Sequence, residues 1–253
     1  MGDRDAAGEK IASSDVTDVR VVIPTYDEVE NVGLLIGRIR ALLPGIGILV
    51  VDDASPDGTA DEARRAGADV LERAGKNGLG AAYRDGFARA LDEGAGIVVQ
   101  MDADLSHDPV YLVELLSAVR AGADAAIGSR YVPGGDCVDW PRLRRFLSRW
   151  GNRYAAGMLG LAVNDATSGF RAYSASTLRR LDVPTVLADG YGFQVEMTHR
   201  LVRSGARVVE IPIVFRDRER GVSKLSYRII GEAFRLVTRL AVDDLRRGRR
   251  RRL

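Results

Sequence analysis

Short β-branched runs alternate with stretches of helical spacing through the first half of this chain, and that alternation limits its fold more than any other feature. Residues 19–23 (VRVVI) suit a buried parallel strand that Pro24 stops. Val32, Leu35, Ile36, Ile39 and Leu43 then recur at helical spacing over 31–43, closing at Pro44-Gly45. The pattern continues with a strand at 48–51, a helix at 59–66, a strand at 68–71 and a helix at 81–93. A strand at 97–101, a helix at 109–121 and a strand at 125–127 follow. This order predicts an α/β fold: an open, mostly parallel sheet with helices on both faces. In such sheets ligands sit beyond the carboxyl ends of the strands, so chemistry is expected in PTYDE, DDASPDG, GKNGLG, DADLSHD and GSRYVPGG.

From residue 141 the pattern is helical to about 161, then mixed, with a late strand at 208–213. An amphipathic helix follows, with an apolar stripe of Tyr227, Ile230, Phe234, Val237 and Leu240. The organisation reads as a disordered segment over 1–18, one domain over 19–225, the amphipathic helix over 226–245 and a basic tail over 246–253.

Composition narrows the class. The chain has 253 residues, 46% of them apolar, which is enough for a sizeable core and excludes a wholly disordered chain. Its single cysteine, Cys137, excludes an internal disulfide framework and reads as a small buried or loop thiol. The start, MGDRDAAGEK, has no apolar core, and no stretch approaches the ~18 apolar residues of a membrane span. The expected location is therefore cytoplasmic, soluble or peripheral. The net charge of +2 hides six arginines in the last eight residues, so the body is mildly acidic and the tail strongly basic. Such a tail suits an anionic membrane surface. No nucleic-acid recognition motif accompanies it, so no nucleic-acid partner is expected.

DADLSHD carries the strongest chemical signal. Asp102 and Asp104 follow a buried run, and carboxylates at i and i+2 on extended backbone point the same way. Two hard oxygen ligands suit Mg²⁺ or Mn²⁺ shared with a diphosphate. The bland reading makes Asp104 a helix cap and Asp102 a loop acid, and it makes His107 a helix-entry residue. Asp53 ends a second strand, where a ribose hydroxyl or base would meet the sheet, while Asp52 reads as an anchor. At the first strand end, the Tyr26 ring could cover a base and Glu28 could accept hydrogen bonds from it. GKNGLG lacks both the P-loop and the dinucleotide spacing, leaving Lys76 as a loop lysine within reach of a phosphate. Arg130, Arg144, Ser148, Arg218 and Lys224 lie beside predicted turns and could together close over an anion. His199 reads as a helix-surface residue.

PTYDEVENV, VDDASPDGT, KNGLGAAYRDG, QMDADLSHDP, GSRYVPGG, TSGFRAY, GYGFQVEM and RERGVSKLS occur in this order. Together they resemble family 2 glycosyltransferases of the GT-A fold, and within them the polyprenyl-phosphate (dolichol-phosphate) mannosyltransferases, over residues 19–240. The resemblance implies transfer of mannose from GDP-mannose to a polyprenyl phosphate, with glucosyl or another hexosyl transfer as the alternative. A nucleotide-sugar-binding regulatory subunit is the non-enzyme alternative. Position by position, Pro24, Tyr26, Glu28, Val51 and Asp53 match the nucleotide pocket, and Asp102, Ala103 and Asp104 the donor and metal segment. Arg130, Arg218 and Lys224 match residues that hold donor or acceptor phosphates, and Arg144 and Ser148 the acceptor-phosphate contacts. Asp104, Arg130 and Lys224 are the catalytic residues this implies. Ser106 stands where some relatives have Gln, so a third metal contact is not implied. The C-terminal membrane helices of some relatives are absent, so the tail, the amphipathic helix or a membrane-anchoring protein partner would have to reach the lipid.

Overall fold

The computed structural model describes residues 16–217 and 227–250. Seven strands form the main sheet: β1 (Val19–Thr25), β2 (Gly47–Asp52), β3 (Asp69–Glu72), β4 (Ile97–Gln100), β5 (Ala125–Ser129), β7 (Arg171–Ser174) and β8 (Val208–Pro212). Their spatial order is β3-β2-β1-β4-β7-β5-β8. All neighbours are parallel except β7, which runs antiparallel to both β4 and β5. Two short strands, β6 (Asp136–Cys137) and β9 (Val214–Phe215), pair separately. The expected α/β fold is therefore present.

β1 and β2 are nearly continuous apolar runs because both of their faces are covered. Val21 and Ile23 of β1 enter a core with Val32, Leu35, Ile36 and Ile39 of α1 (Val29–Leu42) and Leu115 and Leu116 of α4 (Leu112–Arg120). Val22 points the other way, into a core with Tyr83 and Phe87 of α3 (Leu79–Asp92) and Phe193 and Met197 of α7 (Gly190–Arg203). Gly86 lets α3 seat on the sheet: a β-carbon there would lie 2.4 Å from Val22 and 2.9 Å from Val51.

Pro24 does not stop the first strand, which continues to Thr25. Val22 accepts from the Met101 amide across the β4 ladder, and Pro24 faces the same side two residues on. It lies past the last β1–β4 pair, Val22↔Gln100, where no backbone donor is needed. The order of the chain also begins before residue 19, because Val16 is fully buried in the core.

Besides the short helix α6 (Ala175–Leu181), three features go beyond the sequence reading. β7 arises from the polar-looking SGFRAYS: Phe170 and Ala172 enter one core and Tyr173 the other. Arg171 is fully buried and donates to the carbonyls of Ser168, Ala166 and Gln194. The helix α7 is the second, and the β6–β9 pair, which buries Cys137, the third.

The helix α8 (Tyr227–Arg250) runs through most of the expected basic tail. Two residues of its stripe meet protein: Phe234 packs tilted at 4.5 Å against Tyr154 of α5 (Arg142–Leu159), and Val237 is buried beside Ala155 and Leu159. His199 is not a surface residue. It is buried on α7 and meets the Asp244 carboxylate of α8 at 2.9 Å. Among the described residues no helix is long and apolar enough to cross a membrane.

Candidate active site

β1 has β2 on one side and β4 on the other, so the chain reverses its direction of growth between β1 and β4. The carboxyl ends of these strands open there into a cleft of about 290 Å³. Pro24, Tyr26 and Glu28 line it from β1, Asp53 from β2, and Asp102, Ala103 and Asp104 from β4. Lys76 and Gly78 close it from the glycine-rich loop. Seven residues expected in the donor site thus share one cavity.

Val51 does not. Its side chain is fully buried beneath α3, because it lies in register with Pro24 inside the ladder. Asp52 is the expected anchor: it accepts from the Thr25 hydroxyl at 2.8 Å and from the Ser55 amide and hydroxyl at 2.8 and 2.6 Å.

Each strand end turns sharply through a non-glycine residue in left-handed backbone: Asp27 (φ 58°), Ala54 (φ 57°) and Leu105 (φ 62°). Such a conformation costs about 1–2 kcal/mol for an L-residue, and clusters of this kind occur at functional sites. At Leu105 it is held from both sides. The Leu105 side chain is buried in the core, and Ser106 bonds back to Asp104 through its amide (3.1 Å) and hydroxyl (2.5 Å).

The cleft carboxylates are oriented by neighbours, of which Tyr83 and Arg73 were not singled out in the sequence. The Tyr83 hydroxyl, buried on α3, donates to Asp102 at 2.8 Å, and burial with the Asp102 charge pushes the phenol well above its ordinary pKa. The Asp102 amide donates to His107 Nδ1 at 3.3 Å. Burial lowers the His107 pKa, which keeps that nitrogen an acceptor; the ring stacks on Phe170 at 5.0 Å. Arg73 pairs with Asp53 at 2.5 Å and with Asp85 at 2.8 Å. Lys76 Nζ sits 3.4 Å from the centre of the Tyr26 ring, covering the face expected to meet a base. Glu28 accepts from the Asn31 amide group at 2.8 Å.

The donor set suits a divalent ion shared with a ligand. Asp102 and Asp104 supply hard oxygens, and one oxygen of each is fixed by Tyr83 or Ser106. Among the described residues no third His, Cys, Asp or Glu joins them, so diphosphate and water oxygens would complete the sphere.

Arg130 departs from expectation. Its guanidinium forms a two-pronged pair with buried Asp165, Nε and Nη2 each 2.7 Å from a carboxylate oxygen, and Nη2 also reaches the Thr167 hydroxyl at 2.8 Å. Burial opposes both charges. Their mutual attraction outweighs it, raising the Arg130 pKa and lowering that of Asp165. Arg130 does not line the donor cleft. The Nε and Nη2 fork is engaged by Asp165, a geometry that suits those two nitrogens to a positioning role.

Arg144 and Ser148, one turn apart on α5, do gather near Arg130. Tyr131 donates to Ser148 at 2.6 Å, and the Trp140 ring lies 4.1 Å from the Arg144 guanidinium and 5.5 Å from that of Arg130. Burial pushes the Tyr131 phenol up to about 12. Arg144 also pairs with Asp217 at 2.7 Å. Among the described residues, buried Nε of Arg144 and Nε1 of Trp140 have no hydrogen-bond partner, leaving two orphan donors in this cluster. Phe215 links it to the cleft, packing 5.5 Å from His107 and 5.4 Å from Trp140. Arg218 and Lys224 lie outside the described residues.

The glycosyl transferase family 2 model matches residues 20–182. An undecaprenyl-phosphate mannosyltransferase of Micrococcus luteus is 50% identical over 93% of this chain and 98% of its own. A polyprenol monophosphomannose synthase of Mycolicibacterium smegmatis is 47% identical over 92% and 91%. Among solved structures, glucosyl-3-phosphoglycerate synthase of Mycobacterium tuberculosis superposes with a TM-score of 0.67 over 96% of this chain and 85% of its own, at 20% identity. Mannosyl-3-phosphoglycerate synthase of Rubrobacter xylanophilus gives 0.64 over 92% and 75%, at 23%. At that identity these two speak for the GT-A fold alone.

Proposed function

The chain belongs to glycosyl transferase family 2 and is a glycosyltransferase, and from that premise we propose that it transfers mannose from GDP-mannose to a polyprenyl phosphate with inversion. The observation that carries the reading is the shared cleft at the sheet's reversal, where Asp53, Asp102 and Asp104 converge from two strand ends. The names of its relatives support the sugar and the acceptor class.

Tyr26, Glu28 and Asp53 hold the nucleoside, and Lys76 leaves the Tyr26 face as the base arrives. Asp102 and Asp104 would hold Mg²⁺ or Mn²⁺, which would supply charge neutralisation for the leaving diphosphate. A lipid phosphate oxygen attacks the anomeric carbon from the face opposite the diphosphate. The new C1–O bond forms as the bond to GDP breaks, and the electron pair leaves on the diphosphate. The acceptor is already an anion at neutral pH, so no strong general base is needed. This accords with a buried, neutral His107 and a His199 engaged by α8. The chief obstacle is bringing two anions together. Arg144, Ser148 and the orphan donor of Trp140 receive the acceptor phosphate, Arg130 holds that cluster in place, and Arg218 and Lys224 contact donor phosphates. The reaction takes place at the cytosolic face of a membrane.

The test is incubation with a panel of nucleotide sugars and a polyprenyl phosphate, with the lipid product identified by mass spectrometry. Mannosyl product from GDP-mannose alone is expected. A glucosyl product would move the reading to hexosyl transfer of another kind, and donor binding without any lipid product would favour a regulatory subunit.

A further inference from the structure

The helix α5 has two apolar faces, and protein covers one of them. Asn152, Ala155 and Leu159 face inward and are buried. On the opposite side Leu143 and Phe146 are 69% and 63% exposed, and Leu147 and Trp150 are also exposed. These four fall at i, i+3, i+4 and i+7, a single stripe about 100° wide. A soluble helix normally turns polar residues outward, so a stripe of this kind marks a binding surface.

The charge around it identifies what it binds. The helix carries five arginines and no acidic residue. Arg142, Arg149 and Arg153 are exposed and lie along one edge of the stripe. A second copy of the chain packed on the same face would set these arginines against their own counterparts, with no carboxylate on the helix to offset them. An anionic bilayer satisfies both features. Phe146 and Leu143 enter the acyl boundary, Trp150 sits at the interface, and the arginine stems lie along apolar surface with their heads at the phosphates. On α8, by contrast, Val237 is buried and Phe234 packs on Tyr154 at 4.5 Å, with the Trp150 ring also centred 5.6 Å from it.

We propose that the outward face of α5, through Leu143, Phe146, Leu147 and Trp150 with Arg142, Arg149 and Arg153, docks the enzyme on an anionic lipid bilayer. The inward face of the same helix carries Arg144 and Ser148. Docking would therefore bring the acceptor cluster to the membrane surface. That consequence, though not the docking itself, rests on the transfer reading above.

The experiment is co-sedimentation of the full chain with phosphatidylcholine vesicles, with and without 30% phosphatidylglycerol. Wild type should partition onto the anionic vesicles. Leu143→Ser/Phe146→Ser should reduce partitioning tenfold or more with an unchanged melting temperature, while the exposed Leu187→Ser, elsewhere on the surface, should not reduce it. Brominated lipid should quench wild-type tryptophan emission, and Trp150→Phe should remove most of that quenching. Equal partitioning of wild type and the double variant would overturn the proposal, as would no binding by wild type. A wild-type dimer that the double variant makes monomeric would assign the face to a second copy and also overturn it. Vesicle binding by a protein that transfers no sugar would uphold the docking and overturn the transfer reading.

Discussion

The acidic strand ends and the basic strand end of this domain use their charges in opposite ways. After β1, β2 and β4 the carboxylates of Glu28, Asp53, Asp102 and Asp104 line an open cleft, steadied by Tyr83, Ser106 and Arg73. After β5 the charge of Arg130 is buried and answered by Asp165. Both regions follow a strand and both read as ligand contacts in sequence. What separates them is a partner 35 residues away along the chain, which no local pattern reveals. Arg130 is enclosed with its counter-charge away from the cleft, whereas Asp53 is paired with Arg73 and still lines it.

Replacing Arg130 should break the comparison most sharply. Arg130→Ala leaves Asp165 charged and buried, at a cost of about 3–5 kcal/mol. Chemical denaturation should show that loss; a variant as stable as wild type would place Arg130 among the ligand contacts after all. Asp104→Ala should do the reverse. We expect transfer to fall by at least ~10²-fold, equivalent to about 2.7 kcal/mol, with stability nearly unchanged. Lys224→Ala should likewise reduce transfer strongly and leave the fold intact. Full turnover by both variants in a radiolabelled mannose-to-lipid assay would remove them from the reaction.

Tyr83→Phe sharpens the comparison within the acidic region. It deletes one hydrogen bond to Asp102 and keeps the ring, so a stability cost of about 1 kcal/mol is expected. Loosened carboxylate geometry should raise the metal concentration needed for half-maximal transfer several-fold. An unchanged metal dependence would leave Tyr83 as core packing only.

The smallest effect concerns the β5 side. Asp124 accepts from Arg180, the Arg207 amide and Thr177, and these hold its carboxyl down at about 2. Its folded pKa is below the unfolded value of ~3.9, so its contribution is present above about pH 4 and lost as pH falls toward 2. The group is partly exposed, so that contribution is below about 1 kcal/mol. Asp124→Asn should flatten the melting temperature against pH between 4 and 2; an unaltered slope would assign the acid sensitivity to other carboxylates.

Sequence patterning was legible wherever one rule dominated. The buried runs of β1, β2 and β4 and the turns behind them pointed to the α/β fold and to Tyr26, Glu28, Asp53, Asp102 and Asp104, while Pro24 and Ala103 followed only from the family resemblance. It was illegible where tertiary context overrides local preference. In β7 an arginine occupies a buried strand because three carbonyls converge on it. Val51 sits one residue before the strand ends, and ladder register rather than motif position turns it into the core. Tyr83 looks like any helical aromatic until α3 is laid over β4. The helical character of α5 was visible in its spacing, but which of its faces the protein covers depends on the packing.

Calorimetric titration of GDP into the protein, with Mn²⁺ present and then removed by chelator, tests the central claim most directly. We expect binding that requires the ion and that Asp102→Asn/Asp104→Asn abolishes while the variant melts like wild type. Equally tight binding with chelator present, in both wild type and the variant, would contradict a donor site built on those two carboxylates.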